Sequence, residues 1–212
     1  MIAALGLGLL HLPLLGIVPV SGDEAYYWQC SRHADWSYFD QPPLMIWLIG
    51  GSTRLLGVTE TATRLPAVAI GLAIPLTLLG IGRRLFSDRR APLWAFVGLL
   101  ATPLFTLGTM YSSADVLLCL FVLMVPPLAA VAILEDRAWL WLVVGLLGGL
   151  GGLAKFSAVL YVPVVLVLAL LHPGGRRQLR RPEPYLAALL GALAVSPALV
   201  WAFRHNLDNL SF

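Results

Sequence analysis

Charge is the scarcest commodity in this chain. Only 12% of its 212 residues are charged, about half the share of an ordinary soluble domain. A globule this apolar cannot be wrapped in so few charges, so a water-soluble fold is excluded. With 59% hydrophobic residues, disorder is excluded too, since it requires low hydrophobicity and high charge. Cysteine is nearly absent. Cys30 and Cys119 are too few for a disulfide scaffold or a multi-cysteine zinc or iron–sulfur site, and neither needs a redox role. There is no phosphate-cradling Walker loop and no H-E-x-x-H helix. The net charge of +3 gives no reason to invoke nucleic acid. What remains is an integral membrane protein.

The apolar runs set the expected architecture, an all-α polytopic membrane protein. A spanning helix needs roughly 20 apolar residues to cross about 30 Å of hydrocarbon. Residues 1–22 carry no charge, only His11, and read as a first span. This stretch lacks a basic n-region and an A-x-A site, so a retained anchor is expected rather than a cleaved signal peptide. His11 reads as a packed or hydrogen-bonded residue inside that span. Residues 65–82 form the next run, bounded by Arg64 and by Arg83 and Arg84. Residues 91–134 contain one charge, Asp115; as a single helix they would reach about 66 Å, so two spans turning at Asp115 are expected. Residues 138–175 likewise predict two spans turning at Lys155, and residues 185–203 predict a last one. About seven spans result. Gly145, Gly148, Gly149, Gly151 and Gly152 predict close helix approach.

The stretch 23–41, DEAYYWQCSRHADWSYFDQ, is different: charged and aromatic. Pro42 and Pro43 end it, and residues 44–56 form an apolar segment short enough to lie at the interface. The expected organisation is therefore a single transmembrane domain over 1–212. Residues 23–62 form an outer loop with interfacial helices, 63–203 carry spans two to seven, and 204–212 begin another outer loop.

Orientation follows the Lys and Arg of short loops. With a cytoplasmic amino terminus, the inner loops hold Arg83, Arg84, Arg89, Arg90, Arg137, Arg176, Arg177, Arg180 and Arg181, nine of the 14 basic residues. The outer side then holds Asp23, Glu24, Asp35, Asp40, Glu60, Asp115 and Asp208, seven of the 11 acids. Asp23, Glu24, Asp115, Lys155, Arg204 and His205 all fall on that outer face. Each alone could be an interfacial turn residue, because ionisable groups cost less at helix ends than at midplane. Together they predict a shared outward-facing cavity. A carboxylate near hydrocarbon tends toward a raised pKa, which suits general-base work. Tyr26, Tyr27, Trp28, Trp36, Tyr38 and Phe39 fit either an aromatic belt at the headgroups or a surface lining a sugar or lipid.

The segment DEAYYWQCSRHADWSYFDQPPLMIWL resembles the first outer loop of glycosyltransferase family 39 and the aminoarabinose transferases, polytopic enzymes of the GT-C fold. The resemblance continues through TRLPAV (63–68), GRRLF (82–86), SSADVLL (112–118), LAKFSAVLYVP (153–163) and SPALVWAFRHN (196–206). It implies an inverting transfer of a sugar from a polyprenyl-phosphate donor to a lipid, glycan or protein acceptor, on the outer face of the inner membrane. It implies no metal, no cofactor beyond the lipid-linked sugar, and no nucleic-acid partner. By the same resemblance Asp23 orients or deprotonates the acceptor hydroxyl, Glu24 completes the motif, and Asp115 is a second acid. Lys155 meets the carrier phosphate, with Arg204 and His205 as further phosphate ligands. Arg64, Tyr27 and Gln41 join the substrate-binding candidates, although an arginine before a span is usually an anchor. Gln41 stands where aminoarabinose enzymes have lysine, and the chain ends well short of such enzymes, so a fragment or shortened product is expected. Rival expectations are a transporter or flippase for lipid-linked sugars, or an assembly subunit without activity.

Overall fold

The computed structural model describes residues 15–205. The first expected span lies mostly outside them, as do His11 and Asp208. Among the described residues the secondary structure is helical throughout. Helix α1 covers Gly22–Ser31, α2 Leu44–Leu56, α3 Glu60–Leu85, α4 Ala91–Ala101, α5 Pro103–Gly108 and α6 Ala114–Leu134. Then follow α7 Leu140–Ala154, a 3-10 turn Phe156–Leu160, α8 Tyr161–Leu171, α9 Pro173–Gln178 and α10 Glu183–Arg204.

Local chemistry sets the helix starts. Ser21 accepts the Glu24 amide at 3.3 Å while the Glu24 carboxylate accepts the Ser21 amide at 2.9 Å, a capping box that satisfies donors a helix start would otherwise orphan. Thr59 caps α3 through the Ala62 amide and Ser113 caps α6 through the Val116 amide. Pro66 and Pro75 sit inside α3, Pro126 and Pro127 inside α6, and Pro197 inside α10 without ending them; neighbouring helices make such prolines tolerable in spans. Helix α2 has the bounds predicted for the short interfacial segment, buries Met45, Ile46, Ile49 and Thr53, and stops at Gly57 with φ +86°.

The passes can be traced by contact. Helix α3 begins where Ser112 donates its hydroxyl to the Thr63 carbonyl at 2.7 Å and ends where Arg84 meets Glu135 at 3.5 Å, so α3 and α6 run in the same direction. A Cβ on Gly82 would meet Pro92 at 2.9 Å and one on Gly71 would meet Thr109 at 2.7 Å, which returns α4 and α5 antiparallel to α3. Helix α7 climbs back until Lys155 reaches Asp115. Helix α8 descends from the bond between the Tyr161 hydroxyl and the Leu118 carbonyl, and α10 ascends to Trp201 beside Asp35. The described residues thus make six passes between two ends. Helices α3, α6 and α10 are each long and apolar enough to cross a membrane; the other three passes are shorter or broken. The expected turn at Lys155 is the C-cap of α7. The turn expected at Asp115 falls at residues 109–113, just before it, and its pass is also interrupted at Thr102, where Pro103 follows.

Apolar area does not drive helices together in lipid, because the tails are as apolar as leucine; close packing does. Helices α7 and α10 show this. A Cβ on Gly145 would lie 2.0 Å from the Ala187 carbonyl, one on Gly149 2.4 Å from the Gly191 carbonyl, and one on Gly152 2.9 Å from Val195. The predicted glycine contact is real at these positions, and Gly151 makes room for Tyr161. Gly148 faces open space.

The ends differ in chemistry. At one, Glu135 meets Arg84 and Arg137, and Asp136 meets Arg177 and Arg181. Buried Gln178 joins them: it accepts from the Trp141 indole at 2.7 Å and donates to the Ala132 carbonyl and to Asp136, both at 2.9 Å. This is the arginine-rich end. The other end carries Asp23, Glu24, Asp115 and Lys155.

Candidate functional site

The second end is built from helix α1 and the tips of α3, α6, α7 and α10. Glu24 and Arg64 lie at its centre, 0% and 1% exposed. The Arg64 Nε donates to Glu24 Oε1 at 2.9 Å and one Nη to Oε2 at 2.8 Å. The remaining guanidinium donors reach the carbonyls of Leu15 at 3.0 Å, Val18 at 2.6 Å and Pro19 at 2.8 Å. Glu24 accepts two further bonds, from the amides of Ser21 at 2.9 Å and Ser112 at 3.2 Å. Arg64 has five N–H donors and all five are used; each carboxylate oxygen of Glu24 takes two bonds. Tyr111 covers the guanidinium, its ring centroid 5.6 Å away.

This geometry bears on two expectations. Burial alone would raise the Glu24 carboxyl. Its bonds to the Arg64 guanidinium and to the Ser21 and Ser112 amides outweigh burial and hold it below the usual carboxylate range. Glu24 is therefore not the raised-pKa base that a carboxylate near hydrocarbon suggests. Arg64 is enclosed rather than exposed ahead of its span, with all five donors engaged inside the protein. The sequence carried half of the signal: Ser21-Gly-Asp-Glu24 is a capping-box pattern. The Arg64 partner, 40 residues on, has no local signature. The depressed carboxyl has a pH consequence. Glu24 contributes stability that is complete above its unfolded value of 4.5 and is lost as pH falls through the lower folded value. Thermal unfolding followed in detergent should show this acid loss, and Glu24→Gln should flatten it.

Asp23, one residue before Glu24, is its opposite. It is exposed on the first turn of α1 and has no hydrogen-bond partner among the described residues. Tyr27, one turn further along α1, is buried and takes a bond from the Ala114 backbone. Its hydroxyl pKa is raised, first by burial and then by the charges of Asp23, Asp40 and Asp115. Asp115, in the first turn of α6 where a negative charge suits the helix dipole, accepts Lys155 Nζ at 2.5 Å. The pair is open to solvent, with side-chain exposures of 67% for Asp115 and 39% for Lys155. Lys155 has two further N–H donors without a partner among the described residues.

Residues 33–41 tie α1 to the tip of α10. The Trp201 indole donates to Asp35 Oδ2 at 2.9 Å, and the Trp47 indole to the Asp35 carbonyl at 2.9 Å. His205 stacks on Trp201, centroids 3.9 Å apart. Its Nδ1 lies 2.8 Å from the Trp201 carbonyl, an oxygen that can only accept, so Nδ1 carries a proton and donates it there. Arg204 is exposed beside it. Tyr26 donates to Asp40. Gln41 contributes its backbone carbonyl, which accepts the Tyr38 amide at 3.0 Å and the Ser37 hydroxyl at 3.4 Å. The structure gathers Asp23, Tyr27, Asp115 and Lys155. It joins Arg204 and His205 to that group only through the 33–41 loop. A groove of about 550 Å3 lies elsewhere, between α7, α8 and α10; neither Asp23, Asp115, Lys155 nor His205 lines it. Among the described residues no group of His, Cys, Asp and Glu is placed to hold a metal ion.

Residues 40–201 match a protein family described as dolichyl-phosphate-mannose-protein mannosyltransferase. The chain is 31% identical to the lipid A galacturonosyltransferase RgtD of Rhizobium johnstonii over 186 residues, 87% of this chain and 38% of that protein. It is 32% identical to the undecaprenyl phosphate-alpha-4-amino-4-deoxy-L-arabinose arabinosyl transferase 1 of Sodalis glossinidius over 230 residues, 94% of this chain and 40% of that protein. The chain thus spans about two fifths of the length of these relatives. No solved structure matches it.

Proposed function

Because the chain belongs to the dolichyl-phosphate-mannose-protein mannosyltransferase family, we propose that it carries the donor and acceptor end of a membrane glycosyltransferase that takes its sugar from a polyprenyl phosphate. The supporting observation is the split of the adjacent carboxylates: Glu24 is saturated, whereas Asp23 is open on the helix whose Tyr27 meets the Ala114 backbone, next to the Asp115–Lys155 pair. The acceptor hydroxyl attacks the anomeric carbon and gives its proton to Asp23. The bond from that carbon to the carrier phosphate oxygen breaks, its electron pair leaves with the phosphate, and the configuration inverts. Lys155 offsets the charge that develops on the leaving phosphate. Asp115 keeps the ammonium in place, and Arg204 and His205 extend the phosphate-binding side. The relatives' names favour a lipid acceptor of the lipid A type and an undecaprenyl carrier. Membranes containing the protein should move label from a polyprenyl-phosphate sugar into the lipid A fraction, and membranes lacking it should not. Equal labelling in both overturns the reading.

The site faces outward across the inner membrane, with the amino terminus in the cytoplasm. The clustering of arginine at the opposite end supports this orientation. In a protein with Cys30 and Cys119 changed to serine, Ser113→Cys should react with an impermeant maleimide on intact cells. Ser87→Cys should react only after permeabilisation. The reverse pattern would invert the topology.

A further inference from the structure

We infer that Glu24 and Arg64 are positioning residues: locked to each other, they hold Asp23 and the Asp115 end of α6 in the single relative placement that transfer requires. The inference rests on the proposed reading of Asp23 and Lys155. Neither member of the pair has an atom to spare. A phosphate approaching Arg64 would have to displace a carbonyl or the Glu24 carboxylate, and an acceptor hydroxyl approaching Glu24 would find both oxygens doubly occupied. The pair therefore acts through what it holds.

What it holds is the frame of the site. Arg64 projects from α3 and gathers the carbonyls of Leu15, Val18 and Pro19, which fixes the chain entering α1. Glu24 is part of the capping box that starts α1, so the φ and ψ of Asp23 are set by its neighbour's bonds. The same carboxylate takes the Ser112 amide, 88 residues away and three residues before Asp115. The Ser112 hydroxyl adds a second tie, to the Thr63 carbonyl beside Arg64. Asp115 then carries Lys155. A continuous series of bonds thus runs from Asp23 to the ammonium that faces the leaving phosphate.

An apolar pair could fill the same space, and buried ion pairs are often no more stabilising than their apolar replacements. Apolar side chains could not, however, supply directional bonds to three carbonyls and two amides. Displacing a reacting group by about 1 Å costs on the order of 10²-fold in rate, and fixed direction is what this pair provides.

The test uses the protein encoded by the native gene, in membranes, with a polyprenyl-phosphate sugar as donor. Glu24→Gln and Arg64→Lys each keep part of the network. Both should lower kcat by about 10- to 100-fold while donor KM stays near wild type, and both should leave the acidic limb of the pH–rate profile in place. Ser112→Ala, which removes only the tie to Thr63, should lower kcat several-fold in a normally folded protein, roughly as a slight misalignment does. That variant keeps the inference testable if the charge variants do not fold. Unchanged kcat per folded molecule in these variants overturns it. So does a rise in donor KM with kcat intact in Arg64→Lys, which would make Arg64 a phosphate ligand. Loss of the acidic limb in Glu24→Gln would make Glu24 the base and also overturns it. The proposed function fails separately, through an active Asp23→Asn protein.

Discussion

Asp23→Asn is expected to lower kcat for sugar transfer by about 10²- to 10⁴-fold, the usual worth of a positioned general base. The side chain keeps its size and its place on the first turn of α1, but the amide cannot take the acceptor's proton. Glu24, one residue on, cannot substitute, because Arg64 and two backbone amides occupy its carboxylate and hold its proton affinity down. Donor KM should change little, since the cation proposed to face the phosphate is Lys155, which Asp115 holds. The variant should also insert and fold normally, since no described residue bonds to the Asp23 carboxylate. Transfer assayed in purified membranes at matched protein levels reads the effect. A rate equal to wild type would remove Asp23 from the chemistry.

Gly145→Ala is expected to be the most damaging small substitution in the bundle. The added methyl would sit 2.0 Å from the Ala187 carbonyl and 2.6 Å from its Cα, so backbone rather than a pliable side chain has to yield. Overpacking in a filled interior typically costs about 1–3 kcal/mol. Here the clash separates α7 from α10, whose association in lipid depends on close approach. Gly148→Ala is the matched control. It lies one turn away on the same helix with nothing near its added carbon, and alanine is the better helix former by about 1 kcal/mol. Thermal unfolding in detergent should fall clearly for the first and hold or rise for the second. Equal midpoints would show that the two helices do not depend on this contact.

The two results draw on parts of the structure that differ in how openly the sequence declares them. Short-range information declared the helices. Pro42 and Pro43 marked the start of α2, and Leu44–Leu56 folds as that run reads. Lys155 marked the end of α7, because a lone charge in a long apolar stretch belongs at a rim. The glycine stripe announced a close contact, but only the partner helix separates Gly145 from Gly148. The break at Thr102 was written in Pro103, since a residue before proline is driven out of the helical region; in a run this apolar it reads as continuous. The pairing of Glu24 with Arg64 was not readable. Nothing within one turn of Arg64 distinguishes an arginine that anchors a span from one that is wholly enclosed. That difference is made by Glu24, Leu15, Val18 and Pro19, 40 to 49 positions before it.

Lys155 is the single lysine of the chain, and it stands partly exposed at the tip of α7 with Asp115 beside it. Within these 212 residues an amidinating reagent has one lysine nitrogen to modify. A phosphorylated lipid seated against that nitrogen would shield it. The yield of adduct, read by intact-mass spectrometry with and without the lipid, would then become a direct gauge of occupancy, independent of turnover and of which sugar the lipid bears.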